Sequence, residues 1–162
     1  MQPIGSLDQL SRDEFAESIR PLFEAAAPLA TALYARRPFA SYAGLIDAAE
    51  SLARSMTFDD QAAVLAAHPR IGANATSLST LSAREQGSDD SPWVYQQLTE
   101  LNDAYEARFG FRFVVFVNKR PKSAIVEVLK KRLGNSRAEE LDTGLRDMFL
   151  IARDRYAALT CA

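Results

Sequence analysis

Phe111-Arg112-Phe113-Val114-Val115-Phe116-Val117 restricts the fold more than any other stretch, because it is the one strongly β-branched and aromatic run in the chain. Such a run should be extended, and no second run of that kind exists to pair with it. A sheet is therefore not expected, and the backbone donors and acceptors of 111–117 must be met by loops, by water or by a ligand. Elsewhere apolar residues recur at three- and four-residue spacing, and the breaks between periodic stretches carry helix-start chemistry. The expectation is an all-α, single-domain bundle over residues 1–162, with about seven to eight helices and one short extended segment near 111–117.

The helices can be placed from their caps. Ser11 and Glu14 have capping-box spacing and open a helix through Phe15 and Ile19; Pro21 is then expected in the first turn of the next, over 22–35. Ser41 begins a third that ends near Met56. Thr57 with Asp60 caps a short fourth, which stops at His68-Pro69 because a residue before proline is pushed out of the helical region. The small, polar stretch 69–82 reads as a surface loop, and Ser82 with Glu85 restarts a helix. Ser91-Pro92 opens a long helix to Gly110, and two final helices cover 122–133 and 136–159.

Composition removes several classes of function. With 19 Lys+Arg against 21 Asp+Glu, net −2, and no basic block, the phosphate attraction of a nucleic-acid binder is missing. One cysteine, Cys161, allows no internal disulfide and no Cys-based zinc site, and one histidine, His68, allows no multi-His metal site. The seven glycines are too far apart for a phosphate-cradling loop or a dinucleotide fingerprint, so no nucleotide cofactor is expected. The charge-free stretch 25–35 contains Pro28 and is far short of the roughly 20 residues that cross a bilayer. The first ten residues lack the basic and apolar regions of a secretory signal, and Leu159-Thr160-Cys161-Ala162 is no peroxisomal address, so the expected compartment is the cytoplasm.

His68 is the one side chain whose ordinary pKa, about 6.5, lies near neutrality. Its place at a helix end, before a proline and a Gly-containing loop, suits a site residue; it also suits a histidine that only meets the carbonyl ends of its helix. Ser82-Ala83-Arg84-Glu85-Gln86 is equally two-sided. Ser-x-x-Glu is a capping box, and a helix N-terminus also offers free N–H groups to an anionic ligand. Arg153 and Arg155, two apart on the last helix, would ordinarily be surface charges and cannot both face one site.

Taken together, His68-Pro69-Arg70-Ile71-Gly72, Ser82-x-x-Glu85-Gln86, Leu101-Asn102-x-x-Tyr105-x-x-Arg108-Phe109-Gly110-Phe111-x-Phe113 and Arg132-Leu133 resemble the 2-oxo-4-hydroxy-4-carboxy-5-ureidoimidazoline (OHCU) decarboxylase family of purine catabolism. The resemblance spans nearly the whole chain. It implies an all-helical, cofactor-free homodimer that converts the small ureidoimidazoline OHCU to (S)-allantoin with loss of carbon dioxide. It makes His68 and Glu85 catalytic, lays Pro69 against the substrate ring, and assigns substrate binding to Ser82, Ala83, Arg84 and Gln86. The backbone of Phe113, Val114, Val115, Phe116 and Val117 would contact the ureide and ring amides. A late arginine would fall on Arg155, with Arg153 as the alternative, since Asp154 and Tyr156 depart from the family's usual Leu-Arg-Leu setting. Two rival readings stand beside this one. A serine hydrolase built on Ser82, His68 and Asp59 or Asp60 lacks the G-x-S-x-G elbow and a sheet to mount it. A non-enzymatic helical interaction module would leave His68 and the caps structural.

Overall fold

The computed structural model describes residues 1–72 and 91–160. Among the described residues a 3-10 helix, Ile4–Gln9, precedes seven α-helices: α1 (Arg12–Phe23), α2 (Ala27–Arg36), α3 (Tyr42–Ser55), α4 (Phe58–Ala66), α5 (Pro92–Phe109), α6 (Lys122–Arg132) and α7 (Arg137–Thr160). The described residues contain no strand, as expected of an all-α chain, and none of these helices is long and apolar enough to cross a membrane.

Capping chemistry places most of the starts. Ser11 Oγ accepts from the Glu14 N–H while Glu14 Oε2 accepts from the Ser11 N–H at 2.9 Å, a complete capping box. Ser41 caps α3 through the Gly44 N–H, Thr57 caps α4 through the Asp60 N–H, and Ser136 with Glu139 repeats the box before α7. Pro21 departs from expectation: it lies inside α1, and Pro28 is the proline in the first turn of α2. Near the end of a helix a proline forfeits little hydrogen bonding. Leu22 and Phe23, both fully buried just beyond it, hold the last turn of α1 against the core.

α7 packs against α1, α3 and α4, while α5 pairs with α6. Gly144 on α7 permits the approach of α4, because a Cβ there would come within 2.9 Å of Leu65 Cδ1. That contact sets the end of α4, and with it His68, beside the last helix. Phe111, Phe113, Val114, Val115 and Val117 are all buried in the same core. Side chains take over part of a neighbouring strand's role along this segment. Val114 O accepts from Arg132 Nη1 at 2.8 Å, the Phe116 N–H donates to Asp147 Oδ2 at 3.3 Å, and Arg120 donates to the Phe116 and Val117 carbonyls at 2.6 and 3.0 Å.

Candidate active site

α4 ends at Ala66, and the His68 N–H still donates to Leu65 O at 3.1 Å before Pro69 stops the helix. The imidazole that follows is 3% exposed, and neither ring nitrogen makes a well-formed hydrogen bond among the described residues, the Val64 carbonyl one turn back giving the ring only a weak contact that favours its protonated form. Buried polar atoms are nearly always paired, so this ring carries unspent hydrogen-bonding capacity. Burial lowers its pKa to about 4, the Arg155 guanidinium pushes the same way, and the Glu24 carboxylate opposes them. At neutral pH His68 is therefore an uncharged imidazole, with one donor and one acceptor to offer.

The turn carrying His68 is clamped from α5. Arg70 pairs with both Glu106 oxygens at 2.8 Å and with Asp103 at 2.8 Å, and it holds the Glu106 carboxyl below the usual carboxylate range. Asn102 Nδ2 donates to Ile71 O at 3.2 Å. Gly72 has φ +81° and lies so close to Leu98 that a Cβ would stand 3.1 Å from Leu98 Cδ1. Arg112 Nη1 donates to His68 O at 2.8 Å and ties the turn to the start of the buried segment. The His-Pro-Arg-Ile-Gly and Leu-Asn-x-x-Tyr motifs are thus two halves of one clamp.

Arg155, on α7, is 2% exposed; its Nη2 donates to Glu24 Oε1 at 2.9 Å and its Nη1 to Pro21 O at 3.4 Å. Glu24 ends α1 at φ 55°, ψ −155°, a region that is essentially glycine's and costs other residues about 1–3 kcal/mol. Arg153 points elsewhere: it is half-exposed and pairs with Asp47 at 2.9 Å and Glu50 at 2.8 Å on α3. Of the two arginines, Arg155 is the one in the electrostatic neighbourhood of His68.

Pro69 is half-buried on the clamped turn. The Phe113 ring packs edge-on to Tyr105 at 5.2 Å, with the Arg132 guanidinium 4.6 Å away, so only its backbone is left for a ligand. Val115 and Phe116 line a cleft of about 460 Å³ with Arg120, Arg132, Arg146 and Asp147, and His68 is not on its wall. Ser82, Ala83, Arg84, Glu85 and Gln86 lie outside the described residues. The serine-hydrolase reading fails on its acid: Asp59 and Asp60 sit in the first turn of α4, Asp60 is bonded to Thr57, and His68 follows the other end of that helix. No group of three metal-ligating side chains occurs among the described residues. Sequence reasoning did not find Glu24 or Arg112. Glu24 carries no local signal, whereas Arg112 had one, as the lone charge inside an apolar run.

The family model for OHCU decarboxylase matches residues 8–157. The chain belongs to that family. Among its relatives is the OHCU decarboxylase of Halalkalicoccus jeotgali, 28% identical over 97% of this chain and 91% of the relative. The uric acid degradation bifunctional protein PucL of Bacillus subtilis is 29% identical over 97% of this chain, which spans 32% of that longer protein. In fold, this OHCU decarboxylase family member is similar to the crystal structure of an OHCU decarboxylase in the presence of (S)-allantoin, with TM-score 0.68 and 24% identity over 85% of this chain and 93% of that one.

Proposed function

We propose that this protein is a cofactor-independent lyase that decarboxylates OHCU to (S)-allantoin in urate degradation, working in the cytoplasm as a two-fold homodimer. The observation that carries the reading is the buried, uncharged His68 beside Arg155, with no well-formed hydrogen bond at either ring nitrogen among the described residues. OHCU bears a hydroxyl and a carboxylate on one carbon, next to a ring C=N or C=O. His68 takes the hydroxyl proton; the bond to the carboxylate breaks, carbon dioxide leaves, and the bond electrons pass into the neighbouring double bond, whose heteroatom takes up one proton from water, while the hydroxyl becomes a carbonyl and the proton given to carbon balances the one His68 took. Protonation on one face then sets the S centre. Arg155 meets the substrate's negative charge, and that charge in turn offsets the effect of Arg155 on His68 and makes the imidazole a better base. The backbone of 113–117 and the residues Pro69, Ser82, Ala83, Arg84 and Gln86 orient the ring and ureide, and Glu85 accepts from their N–H groups. The homology to OHCU decarboxylases supports this reading over a non-enzymatic helical module.

The test is freshly generated OHCU followed by optical rotation, because spontaneous decay yields racemic allantoin. Enantiomeric excess of the S form that scales with enzyme is expected; a racemic product would sink the proposal. Sedimentation at micromolar concentration should show a dimer, and a lone 17.9 kDa species would reject that half of it.

Glu85→Gln separates cap from ligand. As a capping partner alone, glutamine serves in its place and the change should be mild. As a substrate ligand, Glu85 loses one of its two acceptors and gains a donor facing N–H groups, where a charged hydrogen bond is worth about 1.5–3 kcal/mol. The expected outcome is a melting temperature within a few degrees of wild type with kcat/KM down about tenfold or more. Near-normal kcat/KM would leave the turn as a cap.

A further inference from the structure

We infer that Glu24 is a positioning residue for the decarboxylation, holding Arg155 at the His68 site and reducing the positive charge that Arg155 presents to the substrate carboxylate. The inference rests on the reading of His68 and Arg155 given above. Arg155 reaches the buried site from α7, and the described contacts that fix its guanidinium come from the end of α1: the Glu24 carboxylate at 2.9 Å and the Pro21 carbonyl at 3.4 Å. The Glu24 side chain is itself only 13% exposed, so this pair is little screened by water. Its backbone, at φ 55°, holds a conformation that glycine would adopt freely, yet the chain places a carboxylate there. His68 responds to both members of the pair in opposite directions, Arg155 disfavouring its protonation and Glu24 favouring it.

The chemistry explains why a reduced charge is useful. A carboxylate that departs as carbon dioxide gives up its negative charge in the transition state. A full cation held against it would stabilise bound substrate more than the transition state, and uniform or ground-state binding does not raise kcat. Pairing Arg155 with Glu24 keeps a fixed donor for orientation and lessens that ground-state hold. A purely structural ion pair makes a different claim: its loss would lower stability and leave the balance between KM and kcat alone.

Glu24→Gln keeps the shape and one acceptor oxygen but removes the charge. With OHCU as substrate, kcat is expected to fall at least about tenfold while KM stays level or drops. In an Arg155→Gln background the same change should alter kcat by less than about twofold, because Glu24 acts through Arg155. Arg155→Gln leaves Glu24 as the lone charge of the pair, so if either single variant folds poorly Glu24→Asp, which keeps the charge but shortens the reach to Arg155, is read instead: a fall in kcat at level KM is expected, and wild-type kcat overturns the inference. A kcat for Glu24→Gln within about twofold of wild type, a rise in KM at constant kcat, or multiplicative effects in the double variant would overturn the inference. Wild-type protein inactive on OHCU sinks the proposed function itself; active wild type with an unaffected Glu24→Gln sinks this inference alone.

Discussion

His68→Gln should lower kcat/KM for stereospecific decarboxylation by about 10²-fold or more, the ordinary scale for removing a positioned proton-transfer group, while leaving the helical fold intact. A variant that keeps more than about a tenth of wild-type kcat/KM, less than about 1.4 kcal/mol of transition-state stabilisation lost, would remove His68 from the mechanism. The same substitution carries a signature in stability. The folded-state pKa of His68 is lowered to about 4 from 6.5, so the unfolded chain binds its proton first. The contribution of neutral His68 is fully present above about pH 6.5 and is lost as pH falls from there through 4. Its full size, by the linkage between pKa and stability, is on the order of 3 kcal/mol. Wild type should therefore lose more unfolding free energy than His68→Gln between pH 6.5 and 4, and parallel curves in chemical denaturation would contradict a buried neutral imidazole.

The residues that announced the family are mostly not the ones that would touch substrate. Arg70, Gly72 and Asn102 clamp the turn that presents His68, Tyr105 bonds to Glu140, and Arg132 supports the backbone at Val114. Their spacing was legible because each serves a local geometric need, and the helix starts were legible for the same reason: Ser11, Ser41, Thr57 and Ser136 act within three residues of themselves. Pro21 was misplaced because its tolerance inside α1 depends on the burial of Leu22 and Phe23, which is a tertiary fact. Glu24 was invisible for a stronger reason. Its partner Arg155 is 131 residues away, and nothing in Glu-Ala-Ala-Ala-Pro marks a carboxylate that will meet a buried guanidinium. The run at 111–117 has no strand to pair with among the described residues, as its composition implies; Arg120, which serves two of its carbonyls, is close in sequence, but Arg132 and Asp147 lie on α6 and α7, which sequence could not bring to it.

That same support predicts the largest loss of stability, at Glu140. Its carboxylate is fully buried and accepts from Tyr105 Oη at 2.5 Å, Arg132 Nε at 2.8 Å and Asn135 Nδ2 at 2.7 Å. Burial and this contact push the Tyr105 hydroxyl far above its ordinary pKa, so it stays a donor at any working pH. Arg132, 6% exposed, would keep the Val114 carbonyl at 2.8 Å but, among the described residues, only the longer 3.5 Å contact to Asp147 as an anionic partner if Glu140 were removed. Breaking a buried pair from one side leaves a desolvated charge and costs about 3–5 kcal/mol, whereas an exposed pair such as Arg153 with Asp47 is worth about 1 kcal/mol or less. At about 2–4 °C per kcal/mol for a domain of this size, Glu140→Ala should melt roughly 10 °C or more below wild type, and Asp47→Ala within a few degrees of it. Replacing Glu140 and Arg132 together by apolar residues of similar volume should recover part of the loss, because the unpaired charge goes with them. Recovery of stability without recovery of kcat is the expected pattern, since Arg132 also holds the Val114 carbonyl in the segment proposed to orient the substrate. A melting temperature for Glu140→Ala within about 3 °C of wild type would mean that α6 and α7 are not joined through this carboxylate.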